Sequence, residues 1–401
     1  MKACGLVVEY NPLHNGHLYH INRAKKKSNA HCIIAIMSGS FLQRGEPAII
    51  DKFHRTKVAL QSGVDIVLEL PYVYAVQNSD LFAKGAIHSL HAIGVSDICF
   101  GSESGDIDEF ISSYHIFSQK KTAFEQALQK FLQKGLSFPR ASKKAFSQVG
   151  LTEQLNLAKP NNILGFSYVK TILENNIDIQ PLTIERIDAD YHDENIVGTI
   201  TSATSIRYEL FKNNLLTSHI KNTMPAETKK ALINYKRLTD VWHQWENYFP
   251  FLKYRVSTMS PNELANIHDV QEGLQYRIIE TEKEATSFEH WMKLLKTKRY
   301  TWTRLQRIFT HILTNTTKEE IKSIHDQSIP YIRMLGFTKT GQKYLGQIKS
   351  DMGIPIITHF SREQPYMLSL EEKASKAYYS ILKPKLKKQL LNQERERPIT
   401  V

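Results

Sequence analysis

The sequence has little cysteine and no long apolar run. These absences argue against a disulfide-rich or zinc-binding protein and against a membrane-spanning one. Cys4, Cys32 and Cys99 are the only cysteines among the 401 residues, and none has the CxxC spacing of a redox or zinc motif. They lie in apolar, strand-like segments, so we expect small buried residues in a reducing cytoplasm. No apolar run approaches the roughly 18 residues of a membrane helix, and Lys2 leads directly into a strand pattern. We therefore expect a cytoplasmic protein with no membrane span and no signal peptide.

Acidic residues are scarce in the last part of the chain. Residues 291–401 hold 21 lysines and arginines against nine aspartates and glutamates, which accounts for the whole net charge of +12. A basic segment beside a neutral one is typical of proteins that bind a polyanion, and nucleic acid is the usual polyanion. A merely solvated basic surface is the alternative, and charge alone does not separate the two.

Short apolar segments alternate with amphipathic ones over residues 1–215. The pattern predicts helices that include Asp51–Gln61, Ser79–Ile93 and Asn162–Leu173, and it predicts strands at Ala3–Val8, Cys32–Met37, Asp65–Leu70, Ser96–Phe100 and Pro181–Ile187. This alternation indicates a Rossmann-like α/β fold with a parallel sheet covered on both faces. Ligands of such sheets bind beyond the carboxyl ends of the strands.

Two domains are predicted. Residues 1–215 form the α/β domain, with a helical insertion at about 119–150 that is rich in lysine, glutamine and serine. Strand signals fade after that, so residues 216–401 are predicted to form a mainly helical basic module. Its expected helices include Ala226–Trp242, Pro261–Ile267 and Thr281–Leu295, and a further helical run, Glu371–Gln393, should break near Pro384.

An HxGH motif, His14-Asn15-Gly16-His17, lies where the first strand turns into a helix. His14 and His17 are three residues apart and point to the same side of the helix, and Gly16 lets the backbone approach a ligand. A helix start has free backbone N–H groups and the positive end of the dipole, which suits phosphate. The motif predicts adenylyl transfer, with both imidazoles stabilising the departing pyrophosphate of ATP. Two surface histidines that cap a helix are the alternative.

A second group of polar residues precedes another predicted helix, in the segment Thr201–Arg207. Hydroxyl side chains at a helix start usually only cap it. Because this group belongs to the same domain as the HxGH motif, we expect Ser202, Thr204 and Arg207 to form the second half of one phosphate cradle.

Further residues follow the predicted strands at the same sheet edge. Gly101 ends the fourth strand and Arg186 lies near the end of the fifth, while the loop Ser38–Ile50 follows the second. The next helix carries three cations that we expect either on a solvated face or against substrate, Lys52, Arg55 and Lys57.

Metal ligation has no clear signature. Asp188, Asp190 and His192 follow the fifth predicted strand, but their spacing matches no specific metal site. We expect no protein-held metal, and Mg²⁺ is expected to arrive with ATP.

Two segments of the basic module interleave cations with aromatic residues, Lys296–Arg307 and Tyr331–Gly341. Such mixtures suit RNA, because the cations meet phosphates and the rings stack on unpaired bases. The candidate RNA contacts are Lys298, Arg299, Arg304 and Arg307.

These motifs together resemble the bacterial tRNA(Met) cytidine acetate ligase family of the HxGH nucleotidyltransferase superfamily. The resemblance rests on GLVVEYNPLHNGHLYH, MSGSFLQRGEPAIIDKFHR, FGSE, PNNILG, SATSIR and KRYTWTRLQR, with Leu13 and Phe53 where Phe and Trp are usual. It implies that acetate and ATP form acetyl-adenylate, and that the acetyl group passes to N4 of the wobble cytidine of elongator tRNA(Met), giving N4-acetylcytidine. It also implies ATP binding by Val7, Val8, Glu9, Tyr10, Asn11, Pro12, Leu13, His14, Asn15, Gly16, His17, Leu18, Tyr19, His20, Gly101, Asn161, Arg186 and Ile187.

Two other functions are compatible with parts of this pattern. A nucleotidyltransferase that makes a small dinucleotide-type cofactor explains the HxGH motif and the segment Thr201–Arg207, but not the basic module. A non-catalytic RNA-binding protein explains the basic module, but not the intact HxGH motif.

Overall fold

The computed structural model describes residues 1–151, 155–186, 201–325, 327–361 and 363–401. Its strands are Ala3–Val8 (β1), Cys32–Ser38 (β2), Ile66–Leu70 (β3), Asp97–Ser102 (β4), Gln180–Glu185 (β5), Ile332–Phe337 (β6), Ile356–Ile357 (β7) and Ile399–Thr400 (β8). The helices of the first half are Asn15–Ser28 (α1), Lys52–Gln61 (α2), Tyr72–Ala75 (α3), Ser79–Ala92 (α4), Ile107–Gln119 (α5), Lys121–Gln133 (α6), Phe138–Gln148 (α7) and Pro160–Glu174 (α8).

The second half is mostly helical. Its α-helices are Ala203–Asn213 (α9), Ser218–Lys221 (α10), Ala226–Thr239 (α11), Trp245–Thr258 (α12), Pro261–Asn266 (α13), Leu274–Glu284 (α14), Phe288–Leu295 (α15), Trp302–Thr314 (α16), Lys318–His325 (α17), Lys339–Ile348 (α18), Tyr366–Tyr378 (α19) and Pro384–Asn392 (α20). Two 3₁₀ turns follow the last two helices, at Tyr379–Ile381 and Gln393–Arg395. None of the helices described has both the length and the apolarity to cross a membrane.

One sheet organises the described residues, with its eight strands in the order β5-β4-β1-β2-β3-β6-β7 and with β8 also paired to β6. The first five strands are mutually parallel, and β6 joins β3 in the antiparallel sense. The predicted α/β fold is therefore confirmed, and each of the five predicted strands is present with its ends within two residues of the prediction. Because β1 lies between β4 and β2, the loops that follow these strands meet at one edge of the sheet.

The sheet is apolar on both faces. Along β2, Ile34 and Ile36 pack into one hydrophobic cluster, whereas Ile33, Ala35 and Met37 pack into a second cluster on the other face. This arrangement explains the unbroken apolar run of the sequence, since a parallel strand covered on both faces has no polar side. The three cysteines are free and buried, as predicted, and burial raises the pKa of Cys4 and Cys32 to about 12.

The strand β6 comes from the module that the sequence predicts as mainly helical. Tyr331 and Arg333 are only 1% and 2% exposed, so the interpretation of Tyr331–Gly341 as an RNA-binding segment is wrong. Arg333 and Gly336 interrupt the apolar pattern and hide the strand in the sequence. The domain boundary at 215/216 stays a prediction, and residues beyond it complete the sheet.

A buried ion cluster fastens the C-terminal turn to the sheet. The Lys52 ammonium lies 2.7 Å from a carboxylate oxygen of Glu69 and 2.7 Å from one of Glu394, and Arg333 lies 3.4 Å from Glu394. Burial opposes the charge of Lys52, but both carboxylates outweigh that effect and raise its pKa. The sequence suggests that Lys52 lies either on a solvated helix face or against substrate. Neither is correct, because the side chain is buried in the ion cluster. It neutralises carboxylates that would otherwise be buried as bare charges.

Replacement of Lys52 by methionine leaves two buried carboxylates without their ammonium partner. We expect Lys52→Met to lower the free energy of unfolding by about 3–5 kcal/mol in urea titrations. Lys57→Met is the control, since Lys57 is exposed on the same helix and its replacement should change stability by less than about 0.5 kcal/mol. Equal stability of the two variants would contradict the role given to the cluster.

Candidate active site

The HxGH turn is held by reciprocal hydrogen bonds at the start of α1. His14 is the N-cap residue, and its Nδ1 accepts from the backbone N–H of Gly16 at 3.1 Å. The Nδ1 of His17 accepts from the backbone N–H of His14 at 3.2 Å. This is a capping box in which histidines take the usual Ser and Glu places, and it sets the two ring centroids 3.9 Å apart. The motif thus fixes both imidazoles against the same helix end.

Both imidazoles are neutral and share one tautomer. Burial lowers the pKa of His14 to about 3, and the charges of Arg186 and Arg207 add to the lowering. Burial also holds the pKa of His17 well below its usual value, helped by the neighbouring His14. Since each Nδ1 accepts a backbone N–H, the ring proton belongs on Nε2. Each histidine therefore has an Nε2–H group that can donate to a ligand.

The backbone N–H groups at the start of α1 are already bonded. The Asn15 N–H donates to the Thr223 carbonyl at 2.9 Å, and the His17 N–H donates to the His14 carbonyl at 2.8 Å. The expectation of free N–H groups at this helix start is therefore wrong. The reason is the burial of the turn, since an unpaired N–H group costs free energy there. The groups at this helix start that can still donate hydrogen bonds to a phosphate are the Nε2–H groups of the two imidazoles.

Arg186 lies over Gly101 beside the histidine pair. A Cβ atom on Gly101 would be 3.2 Å from the Arg186 Cγ, and the Arg186 N–H donates to the Ser102 carbonyl at 2.9 Å. The guanidinium is close enough to lower the pKa of both His14 and His17. The structure thus brings together a cation, a residue without a side chain and two imidazoles from three different elements of the sheet edge.

Two more residues of the predicted ATP-binding run pack around the pair. The Tyr10 ring meets His17 edge-on, with centroids 5.1 Å apart. The His20 Nε2 lies 3.2 Å from the Cys99 carbonyl oxygen, and burial lowers the pKa of His20 to about 4. His20 therefore connects α1 to β4 and extends the neutral histidine cluster to three rings.

Asn161 is fixed next to the end of β4 by Glu103. The Glu103 Oε1 accepts from the side-chain amide of Asn161 at 2.8 Å, and its Oε2 accepts from the Asn162 N–H at 2.8 Å. In return, the Asn162 Oδ1 accepts from the Glu103 N–H at 2.9 Å. Glu103 therefore anchors the start of α8. In the sequence, Glu103 is only part of a turn, and the Asn-Asn pair at a helix start is the signal that identifies its partner.

Arg207 reaches the HxGH turn, whereas its predicted companions do not. Its Nη1 donates to the Asn11 carbonyl at 2.8 Å, and its Nη2 lies 2.8 Å from a carboxylate oxygen of Glu46. Ser202 caps α9, because its Oγ accepts from the Ser205 N–H at 3.1 Å, and Thr204 is exposed. The sequence alternative of a helix cap thus describes Ser202, and Arg207 is the member that contacts the site.

Arg55 is buried beneath the loop that precedes the HxGH motif and binds its backbone. The sequence predicts only a solvated face or a substrate contact for this residue. The guanidinium is 2% exposed and donates to the carbonyls of Glu9 at 2.7 Å, Ser38 at 3.0 Å and Ile50 at 3.2 Å. Arg55 therefore joins the HxGH turn to both ends of the loop Ser38–Ile50. A carbonyl set of this kind leaves no pattern in the sequence, because any residue supplies a carbonyl.

The candidate RNA contacts lie around the start of α16. Lys298 and Arg299 are exposed, and Arg299 is paired with Glu272 at 2.7 Å. Arg304 is paired with Asp269 at 3.2 Å, and burial lowers the pKa of Arg307. The Arg307 backbone packs on the loop Ser38–Ile50, where a Cβ on Gly45 would come within 2.4 Å of it. Two of the four cations thus already have carboxylate partners.

Some sequence expectations fall outside the described residues, namely Ile187 as an ATP contact and the acidic group Asp188, Asp190 and His192. Within the parts of the chain that are described, no three His, Cys, Asp or Glu side chains are grouped to hold a metal ion.

The chain is similar to known proteins over its whole length. The HIGH Nucleotidyl Transferase profile matches residues 1–394. A protein of Oceanobacillus iheyensis named tRNA(Met) cytidine acetate ligase is 55% identical over 100% of both chains, and the Bacillus subtilis protein of that name is 46% identical over 94% of this chain and 92% of its own. Crystal structures of Thermotoga maritima TmcAL, one apo and one bound with alpha-thio ATP, superpose with TM-scores of 0.90 at 33% and 32% identity, and each covers 100% of both chains.

The neutral state of the histidine pair is measurable by NMR. We expect His14 and His17 to keep one proton, on Nε2, at about pH 5.5, where the histidines of the urea-unfolded chain are mostly protonated. The ring signals are assigned to each residue by their loss in the His14→Asn and His17→Asn variants. Because the folded pKa of His14 is below its unfolded value, its contribution to stability is present above about pH 6.5 and declines as the pH falls towards about 3. Protonation of either ring at about pH 5.5 would contradict the assignment.

Proposed function

This chain belongs to the HIGH nucleotidyl transferase family, and from that premise we propose that it is an ATP-dependent ligase that joins acetate to a cytidine of tRNA(Met). The observation that carries the proposal is the pair of neutral imidazoles, fixed by the capping box of His14 and His17 at the ligand-binding edge of the sheet. The similarity to proteins named tRNA(Met) cytidine acetate ligase extends through both the α/β part and the basic part of the chain.

In the first proposed step, an acetate oxygen attacks the α-phosphorus of ATP and pyrophosphate leaves. His14 and His17 act as catalytic residues, because their Nε2–H groups donate to the phosphate oxygens on which negative charge develops. Donors that are neutral and already oriented need no proton transfer to do this. Arg186 adds a full positive charge at the same place, as its effect on both histidine pKa values indicates.

The remaining ATP contacts are proposed from the resemblance. They comprise the run Val7–His20 together with Gly101, Asn161, Arg186 and Ile187. In the phosphate cradle we give Arg207 the main role, because its guanidinium already contacts the HxGH turn, with Ser202 and Thr204 at the adjoining helix start. Mg²⁺ enters with ATP in this proposal, since magnesium usually binds substrate phosphates and keeps several waters.

In the second proposed step, the exocyclic N4 of the wobble cytidine of elongator tRNA(Met) attacks the acetyl carbon. AMP leaves and N4-acetylcytidine forms after the N4 proton departs. An acyl-adenylate hydrolyses readily, so both steps share one site from which water is excluded. The basic part of the chain holds the RNA, and Lys298, Arg299, Arg304 and Arg307 are its proposed contacts near α16. A cytoplasmic location belongs to the same proposal, since the proposed substrate is a tRNA.

The proposal is tested by the two half-reactions. We expect acetate-dependent exchange of pyrophosphate into ATP, and transfer of labelled acetate to a cytidine of tRNA. His14→Ala and His17→Ala should each lower the exchange rate by about 10²-fold or more, because each removes one donor to the developing charge, while tRNA binding persists.

His91→Ala is the matched control, because His91 is exposed on α4 and should leave both reactions unchanged. A stable dinucleotide product made without tRNA would contradict the proposal and indicate a cofactor-forming enzyme. Failure of the His14 and His17 variants to bind tRNA would argue against the separation of the adenylation site from the RNA contacts.

A further inference from the structure

Residues 383–397 form a basic segment of the chain, with six cations and two glutamates. Pro384 begins α20 at a position where its missing N–H costs nothing, and the helix ends at Asn392. Glu394 turns inward to Lys52 and Arg333, so it does not offset the charge at the surface. Glu396 is exposed between Arg395 and Arg397, so it offsets one of the six positive charges. We define the α20 patch as the outward-facing cations Lys383, Lys385, Lys387, Lys388, Arg395 and Arg397.

We propose that the α20 patch binds the phosphate backbone of the RNA substrate. The inference rests on the proposed function for the identity of that RNA as tRNA. It assigns a contact surface separate from the α16 cations, and it follows from three features of the patch: its unpaired charge, its groove and its position.

Charge on the patch is unpaired. None of its six cations forms an ion pair with any residue that the structure describes. Arg299 and Arg304, by contrast, already contact Glu272 and Asp269. A paired cation must exchange its carboxylate for the phosphate, whereas an unpaired one gives up only water and counterions. Each cation of the patch should therefore contribute more to the binding free energy of a polyanion than Arg299 or Arg304 does.

A groove runs along the patch between α19 and α20. Its volume is about 570 Å³, and Lys387, Lys388 and Arg395 line it together with Ser380 and Asn392. Glu372 also lines it, but that carboxylate is paired with Lys376 at 3.0 Å. Glu394 and the apolar side chains of Phe360, Leu382 and Leu391 also line the groove. Its cations and neutral hydrogen-bonding side chains are the groups that most often contact nucleic-acid phosphates.

The turn that follows α20 is linked to the candidate active site through α2. Gln393 donates to Asp51 at 3.4 Å, and Glu394 contacts Lys52, so the turn after α20 rests on the start of α2. One helical turn further along α2, Arg55 donates to the carbonyl of Glu9 in the HxGH turn. These contacts connect the patch to the site turn through a single buried helix end. The turn that follows α20 is therefore tied to the same helix that supports the loop before the HxGH motif.

The salt dependence of RNA binding tests the assignment. In titrations of the full-length protein with a transcript of elongator tRNA(Met), we expect Lys387→Ala with Lys388→Ala to reduce the steepness of log K against log salt by about two, because two phosphates are no longer neutralised. The dissociation constant should rise about tenfold or more at about 0.1 M salt. Lys387→Arg with Lys388→Arg keeps both charges and should retain the original slope.

The matched control removes two cations that have carboxylate partners. Lys283 and Lys293 are exposed and paired with Glu280 and Glu289, so Lys283→Ala with Lys293→Ala should leave the slope unchanged. An equal slope for the wild-type protein and the Lys387/Lys388 variant would overturn the inference, as would an equally reduced slope in this control.

Acetate-dependent pyrophosphate exchange, measured without tRNA, separates the inference from the proposed function. The Lys387/Lys388 variant should exchange at the wild-type rate, because neither lysine belongs to the adenylation site. Failure of the wild-type protein to exchange would refute the proposed function, while a reduced salt slope in the variant would still support the RNA-binding patch. Absence of exchange in the variant alone would contradict the inference, since it would place these lysines in adenylation.

Discussion

The candidate site depends on two reciprocal hydrogen bonds at the start of α1. In each of them a backbone N–H group donates to the ring of His14 or His17. Those bonds occupy the Nδ1 atoms, and burial keeps both rings neutral. One local motif therefore fixes position, tautomer and charge together. Arg55 and Arg207 hold the loop that precedes the motif, because they donate to the backbone carbonyls of Glu9 and Asn11. These hydrogen bonds orient the donors of the site in advance, which suits a site that stabilises charge only as it develops.

Sequence patterns predict the elements whose signal is local. The five parallel strands and the position of the HxGH turn follow from apolar periodicity, and the structure confirms the fold. Periodicity misses β6 because Arg333 breaks its apolar run. The carboxylates of Glu394 and Glu69, both distant in sequence, compensate the charge of that arginine within the sheet. The buried roles of Lys52 and Arg55 escape prediction for the same reason. Their partners are Glu69, Glu394 and a set of backbone carbonyls, which sequence spacing does not reveal.

The cations of the basic part fall into three classes that composition does not distinguish. Some, such as Arg333, are buried in ion pairs inside the fold. Others, such as Arg299 and Arg304, are partly neutralised by nearby carboxylates. The α20 patch keeps its charge. Net charge alone therefore overstates how widely the basic part can contact RNA, and the distribution of carboxylates narrows the contact to particular helices.

The closure of the buried ion cluster by Glu394 has a consequence for how the protein matures during synthesis. Asp51 and its partner Gln393 are 342 residues apart, and the neighbouring Lys52 and Glu394 are separated by the same number of residues. Translation must thus continue far beyond Lys52 before this counter-charge exists. Until Glu394 has been synthesised, Lys52 lacks one of the carboxylates that contact it in the folded protein, and the ion cluster stays incomplete.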